Sequence, residues 1–124
     1  MDLRERLGLL EQDATLLRGR ARAERDALVE ALSRRGLTTF SPSERELVEG
    51  LHRYLRDTPS AMVGVYLTDA VGERRAQNQP GTDVEYPNWR VPLADSAGAV
   101  VLLEDLFDSA RLRSLVSVLN EEAE

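Results

Sequence analysis

The chain has 124 residues, 31% of them charged, and a net charge of −6, which suits one domain with a single core. It contains no cysteine, so a disulfide framework and thiolate metal sites are excluded, in keeping with a reducing cytoplasm. No apolar run nears the ~20 residues that span a bilayer, and the N-terminus lacks a signal-peptide layout, so the chain reads as soluble with no membrane partner.

Charge is unevenly placed. Residues 1–60 hold 11 acidic and 11 Arg side chains, whereas 61–124 hold 11 acidic and 5 Arg, so the whole negative excess lies in the second half. That excess excludes a nucleic-acid surface there, because phosphate binding needs positive charge at the contact. All 16 basic residues are Arg, and along the sequence nothing gathers them into phosphate-reading forks.

The spacing predicts a helix over 11–35, with Leu17, Ala21, Leu28 and Leu32 on one face and Gly36 as its stop. Arg18-Gly19-Arg20-Ala21-Arg22 is followed at once by Glu24 and Asp26 and reads as a solvated face. Ser41-Pro42-Ser43-Glu44 has the form of a helix start: a capping hydroxyl, Pro at the first turn, and Glu closing a capping box. A helix over 43–57 follows, with Leu47, Leu51, Tyr54 and Leu55 as its stripe and Thr58-Pro59 beyond its end. His52, beside that stripe, is the only histidine, and with no partner to complete a ligand set it reads as a packing residue. No metal and no cofactor is expected.

Met62-Val63-Gly64-Val65-Tyr66-Leu67 is a short apolar run with β-branched and aromatic members, which predicts a strand over 62–67 buried on both faces. Such a strand needs neighbours, and the only other candidate, Ala99–Leu103, follows a turn signal at Asp95-Ser96-Ala97-Gly98. The expected fold class is therefore α/β, mostly helical with one buried strand, as in a C-terminal piece of a (β/α)₈ TIM barrel spanning 1–124 as a single unit. Asp108 is placed to cap a last helix over 108–119, with Leu112, Leu115, Val116 and Leu119 on one stripe. A helical turn at 103–107 precedes it, and residues 120–124 are expected to fray.

Between strand and last helix lies a predicted site loop, 77–93. Pro80 and Pro87 remove backbone donors and Gly81 admits positive φ, so Asn78–Arg90 is neither helix nor central strand. Tyr86 and Trp89 lie between the amides Asn78 and Asn88, a combination that suits a sugar, whose apolar face takes rings and whose hydroxyls take amides. The alternative is that the two rings only anchor the loop to a core.

Leu67-Thr68-Asp69-Ala70-Val71-Gly72, Asn78-x-Pro80-Gly81-Thr82 and Glu85-Tyr86-Pro87-Asn88-Trp89-Arg90 together resemble the C-terminal region of the 4-α-glucanotransferases of glycoside hydrolase family 77, also called amylomaltases or disproportionating enzymes. Leu3–Leu9 and the helix 43–57 are similar too, so the likeness covers most of 3–118, and actinobacterial members look nearest. The resemblance implies a (β/α)₈ barrel with 62–67 as last strand and the loop at its mouth. It also implies a retaining glycosyl transfer between α-1,4-glucans by two carboxyl groups roughly 5 Å apart. In the family those carboxyl groups precede the matched region, so the chain alone is expected to be inactive, its Met1 standing for a cloning boundary, a misplaced start or a truncation. Asp69, Asp83 and Glu85 are not taken as substitutes.

What the resemblance carries over is acceptor-side glucan binding, by Asn78 first, with Pro80, Gly81 and Thr82 shaping the turn and Trp89 as a further candidate contact. Gln79 stands where many members have an apolar residue. The expected partners are maltooligosaccharides and the rest of the barrel. The competing reading is a non-catalytic glucan- or protein-binding module that self-associates.

Overall fold

The computed structural model describes residues 2–121, and its regular structure is helical. After the short α1 (Asp2–Arg6), the helix expected over 11–35 runs Ala14–Arg34 as α2. Asp13 sets its start, its carboxylate accepting the Thr15 and Leu16 N–H groups at 2.9 and 3.0 Å. At the far end Gly36 takes φ 73°, and the Leu37 N–H returns to the Leu32 carbonyl at 3.1 Å, a Schellman-type stop. Of the predicted face only Leu32 is buried, joined by Val29. Arg18 of the Arg-rich run is held by Asp2 and Glu5, and Arg20 donates to Gln12.

The helix expected over 43–57 runs Glu44–Arg56 as α3, and its cap is Ser43, not the Ser41 of the Ser-Pro-Ser-Glu pattern. The Glu46 N–H donates to Ser43 Oγ at 3.2 Å, and the Ser43 N–H donates to Glu46 Oε2 at 2.7 Å. Two overlapping Ser-x-x-Glu strings fit the same box, and the later one leaves Pro42 ahead of the helix, where its ring is buried. His52 is buried and bonds through Nδ1 to the Val48 carbonyl at 2.8 Å, so Nδ1 carries the proton. At Gly50 the chain after α2 passes close against α3: a Cβ there would lie 2.9 Å from the Leu37 carbonyl oxygen. Tyr54 and Leu55 of the expected stripe remain partly exposed, with the Arg35 guanidinium 5.0 Å from the Tyr54 ring.

The strand expected over 62–67 is absent. Residues 62–66 carry no regular structure, Leu67 opens the short helix α4 (Leu67–Val71), and Met62 and Tyr66 are 89% and 75% exposed. A strand exists by virtue of its ladder, and among the described residues none lies alongside; no N–H from Val63 to Tyr66 donates a hydrogen bond. The apolar run keeps an extended path at Tyr66 (φ −83°, ψ 134°) without the burial that its composition implied. The other candidate strand reduces to one antiparallel bridge, Ala94 to Val100. Its turn is closed by Asp95, whose Oδ1 accepts the Ala97 and Ala99 N–H groups at 2.8 and 2.9 Å.

Helix α5 (Leu103–Leu106) precedes α6 (Ala110–Asn120). The α6 cap is Ser109, one residue past Asp108, because its Oγ is the group that meets the Leu112 N–H, at 3.2 Å. Its buried face is Leu115 and Val118, while Val116 stays 47% exposed. Of the fraying expected over 120–124, residues 122–124 lie outside the described residues.

The core gathers Val29 and Leu32 of α2, Ala70 and Val71 of α4, Ala94, Leu106 of α5, and Leu115 and Val118 of α6. Arg111 of α6 ties three helices together. Its Nη1 and Nη2 grip Glu44 of α3 at 2.8 and 2.7 Å, and its Nε donates to the Asp69 carbonyl of α4 at 3.1 Å. The guanidinium correspondingly holds the Glu44 carboxyl below its ordinary pKa. No described helix is long and apolar enough to cross a membrane.

Candidate functional site

The loop 77–93 grows from the end of α4. Gly72 closes that helix at φ 84°, and the Gly72 and Glu73 N–H groups both return to the Thr68 carbonyl at 2.9 Å. Glu73 follows with a side chain only 2% exposed. Its carboxylate accepts from the Arg75 N–H (2.8 Å), Arg75 Nε (2.9 Å), Arg75 Nη2 (2.7 Å) and the Ala94 N–H (2.9 Å). Residue 75 before the loop and residue 94 after it thus meet on one buried anion, and Arg75 Nη2 adds a bond to the Pro92 carbonyl at 2.5 Å. The hydrogen bonds from the Arg75 side chain, with those from the two backbone amides, hold the Glu73 pKa far down, at about 2, against the burial that would raise it.

Within the loop, Asn88 is the hub. Its Oδ1 accepts the Gln79 N–H at 2.7 Å, and its Nδ2 donates to the Thr82 carbonyl at 3.2 Å and to Thr82 Oγ1 at 2.9 Å. Thr82 Oγ1 in turn donates to the Gln79 carbonyl at 2.7 Å, so Gln79, Thr82 and Asn88 close a ring of bonds around Pro80 and Gly81. Gly81 sits at φ 84°, where a glycine is the natural occupant. Tyr86 is half-buried and donates its hydroxyl to the Ala76 carbonyl at 2.5 Å. Glu85 bends back onto the Asp83 N–H at 2.8 Å, which lowers its pKa.

Two of the predicted residues are left over for a ligand. Asn78 is exposed, and among the described residues its amide makes no hydrogen bond within the chain. Trp89 is 76% exposed and takes φ 60°, its N–H donating to the Gln77 carbonyl at 2.7 Å. The loop therefore spends a strained backbone on a ring that covers no core. Pro80 and Gly81 form the exposed tip, while the Thr82 hydroxyl is committed inside the turn. The four-residue aromatic and amide set thus divides, with Tyr86 and Asn88 holding the loop and Asn78 and Trp89 facing outward.

Sequence reasoning missed Glu73 and Arg75. The signal was a lone Glu immediately after a helix-ending Gly and two residues before an Arg, which is one more surface pair unless the Ala94 amide is known to lie above it. Among the described residues no group of three or more His, Asp or Glu side chains is placed to hold a metal ion.

Comparison with known proteins follows the same residues. The family model for glycoside hydrolase family 77, described as 4-alpha-glucanotransferase, matches residues 11–97, which include the whole loop. The chain belongs to this family. The 4-alpha-glucanotransferases of Mycobacterium tuberculosis and Mycobacterium bovis are 49% identical to it over 119 residues, or 94% of this chain. The crystal structure of amylomaltase from Corynebacterium glutamicum superposes with a TM-score of 0.88 at 35% identity over 95% of the chain. The chain spans 16% of the length of those mycobacterial 4-alpha-glucanotransferases and 18% of the amylomaltase chain.

Proposed function

We propose that this chain is the acceptor-side edge of a 4-α-glucanotransferase barrel, in which segments of α-1,4-glucan pass between maltooligosaccharides by a retaining mechanism in the cytoplasm. On this reading residues 62–66 become the last barrel strand once neighbouring strands lie beside them, and loop 77–93 sits at the barrel mouth, where such enzymes keep their sites. The observation that carries the proposal is the exposed pair Asn78 and Trp89 on a loop whose Thr82, Tyr86 and Asn88 side chains are bonded internally. An unpartnered amide offers both a donor and an acceptor to sugar hydroxyls, and an exposed indole offers a face to the pyranose.

Transfer itself requires two carboxyl groups flanking the glycosidic bond, and the loop supplies no such pair: Glu85 is folded onto the Asp83 amide and Glu73 is buried in the clamp. The chain by itself should bind maltoheptaose weakly and release no glucose from maltotriose. Asn78→Ala should weaken that binding about tenfold, the value of one or two lost hydrogen bonds, with the melting temperature unchanged. Calorimetric titration checks the first expectation and a glucose assay the second. Undiminished affinity in the variant would remove Asn78 from the site, and glucose release at an enzymatic rate would overturn the non-catalytic role.

A further inference from the structure

A cleft lies between α1 and the stem of the loop. Its volume is about 380 Å³, and its lining includes Arg4 and Arg6 of α1, Arg74 and Arg75 of the stem, and Gln79 and Tyr86 of the loop. Four arginines line it in a chain whose net charge is −6, and of these Arg75 is already committed to Glu73. The sequence showed no such cluster because the two Arg pairs are nearly 70 residues apart and only the fold joins them.

The counter-charges nearby are already engaged. Asp2, which also borders the cleft, is bound by Arg18 at 3.0 Å, and the Glu73 carboxylate is consumed by Arg75 and two backbone amides. Arg4 gives a single bond to the Leu9 carbonyl at 3.3 Å. Arg6 and Arg74 form no salt bridge among the described residues: the carboxylates whose charge they feel, Asp2 and Glu44, are gripped by Arg18 and Arg111, so both forks keep donors to spare. Guanidinium forks match the oxygens of a phosphoryl group two at a time, and the volume is that of a small-molecule pocket. A polyanion is disfavoured, since one small cleft gives it no path and the rest of the chain repels it.

We propose that this cleft binds a single small phosphate, held by Arg6 and Arg74 with help from Arg4 and enclosed on one side by Tyr86 and Gln79. The site is distinct from the glucan contacts of Asn78 and Trp89, and its test does not depend on them. Titration of the 124-residue chain with inorganic phosphate at fixed ionic strength should give saturable one-site binding. The double variant Arg6→Gln/Arg74→Gln should lose at least about tenfold in affinity, and Arg74→Gln alone should lose part of it. Both residues are exposed and tie nothing together, so circular dichroism should be unchanged; Arg22→Gln on the outer face of α2 serves as the control. Glucose 1-phosphate in a parallel titration separates the sources. Affinity well above that of inorganic phosphate makes the ligand a sugar phosphate, and equal affinity makes it the free ion. No saturation in the millimolar range, equal loss in Arg22→Gln, or phosphate binding that survives the double substitution would each overturn the site.

Discussion

Trp89 sets a backbone cost against an exposed ring. A left-handed conformation costs a residue with a Cβ about 1–2 kcal/mol, and at φ 60° the Trp89 backbone bears it without burying its indole. Trp89→Gly removes the strain and adds some unfolded-state entropy, so the variant should melt no lower than the parent. Trp89→Ala keeps the strain and loses the ring. Both should bind maltoheptaose more weakly, by about 1–2 kcal/mol if the indole stacks on sugar. Melting curves beside a glucan titration check this, and a Trp89→Gly protein that melts far below the parent would make the ring an anchor instead. The sequence showed two aromatics and two amides in one loop and left their roles open. It had to, because Tyr86 and Asn88 differ from Trp89 and Asn78 only in whether a backbone carbonyl or amide lies within reach, at 2.5 Å for Tyr86 and 2.7 Å for Asn88.

Elements in this chain were legible in kind and displaced at their edges. The caps moved from Ser41 to Ser43 and from Asp108 to Ser109 because several neighbouring residues carry a suitable oxygen and only packing chooses among them. The strand at 62–67 was read from composition, but a strand is a relation between segments, and no segment pairs with it among the described residues. The loop clamp was hidden for a similar reason: Glu73 and Ala94 meet only through the fold. That clamp has a pH signature. With a folded pKa near 2 against an ordinary value of 4.5, Glu73 contributes its full stabilisation above about pH 4.5 and loses it as pH falls towards 2. Glu73→Gln should cost about 1.5–3 kcal/mol at neutral pH, since it removes a buried, charge-assisted acceptor. The gap between parent and variant should then narrow below pH 4.5. Denaturant unfolding at a series of pH values measures it, and a gap independent of pH would mean that the carboxylate is not the clamp. Glu44, Glu46, Glu49 and Glu121 are lowered too, so the parent also weakens in acid and the difference is the quantity to read.

At the scale of the whole molecule, apolar groups remain that the fold does not cover. Met62, Tyr66, Leu103 and Phe107 are 89%, 75%, 70% and 77% exposed, and 62–66 keeps its backbone donors unpaired. A chain in this state should self-associate as its concentration rises. Sedimentation velocity should show the sedimentation coefficient increasing with concentration, and Met62→Lys/Tyr66→Lys should reduce the increase. A concentration-independent monomer with a sharp melt would show that these surfaces need no cover. The position of Trp89 has a separate optical consequence. It is the only tryptophan, so the indole fluorescence of the entire protein comes from one loop. Its emission is that of an indole in water from the start, blind to much of what happens in the core and sensitive to whatever settles on the ring.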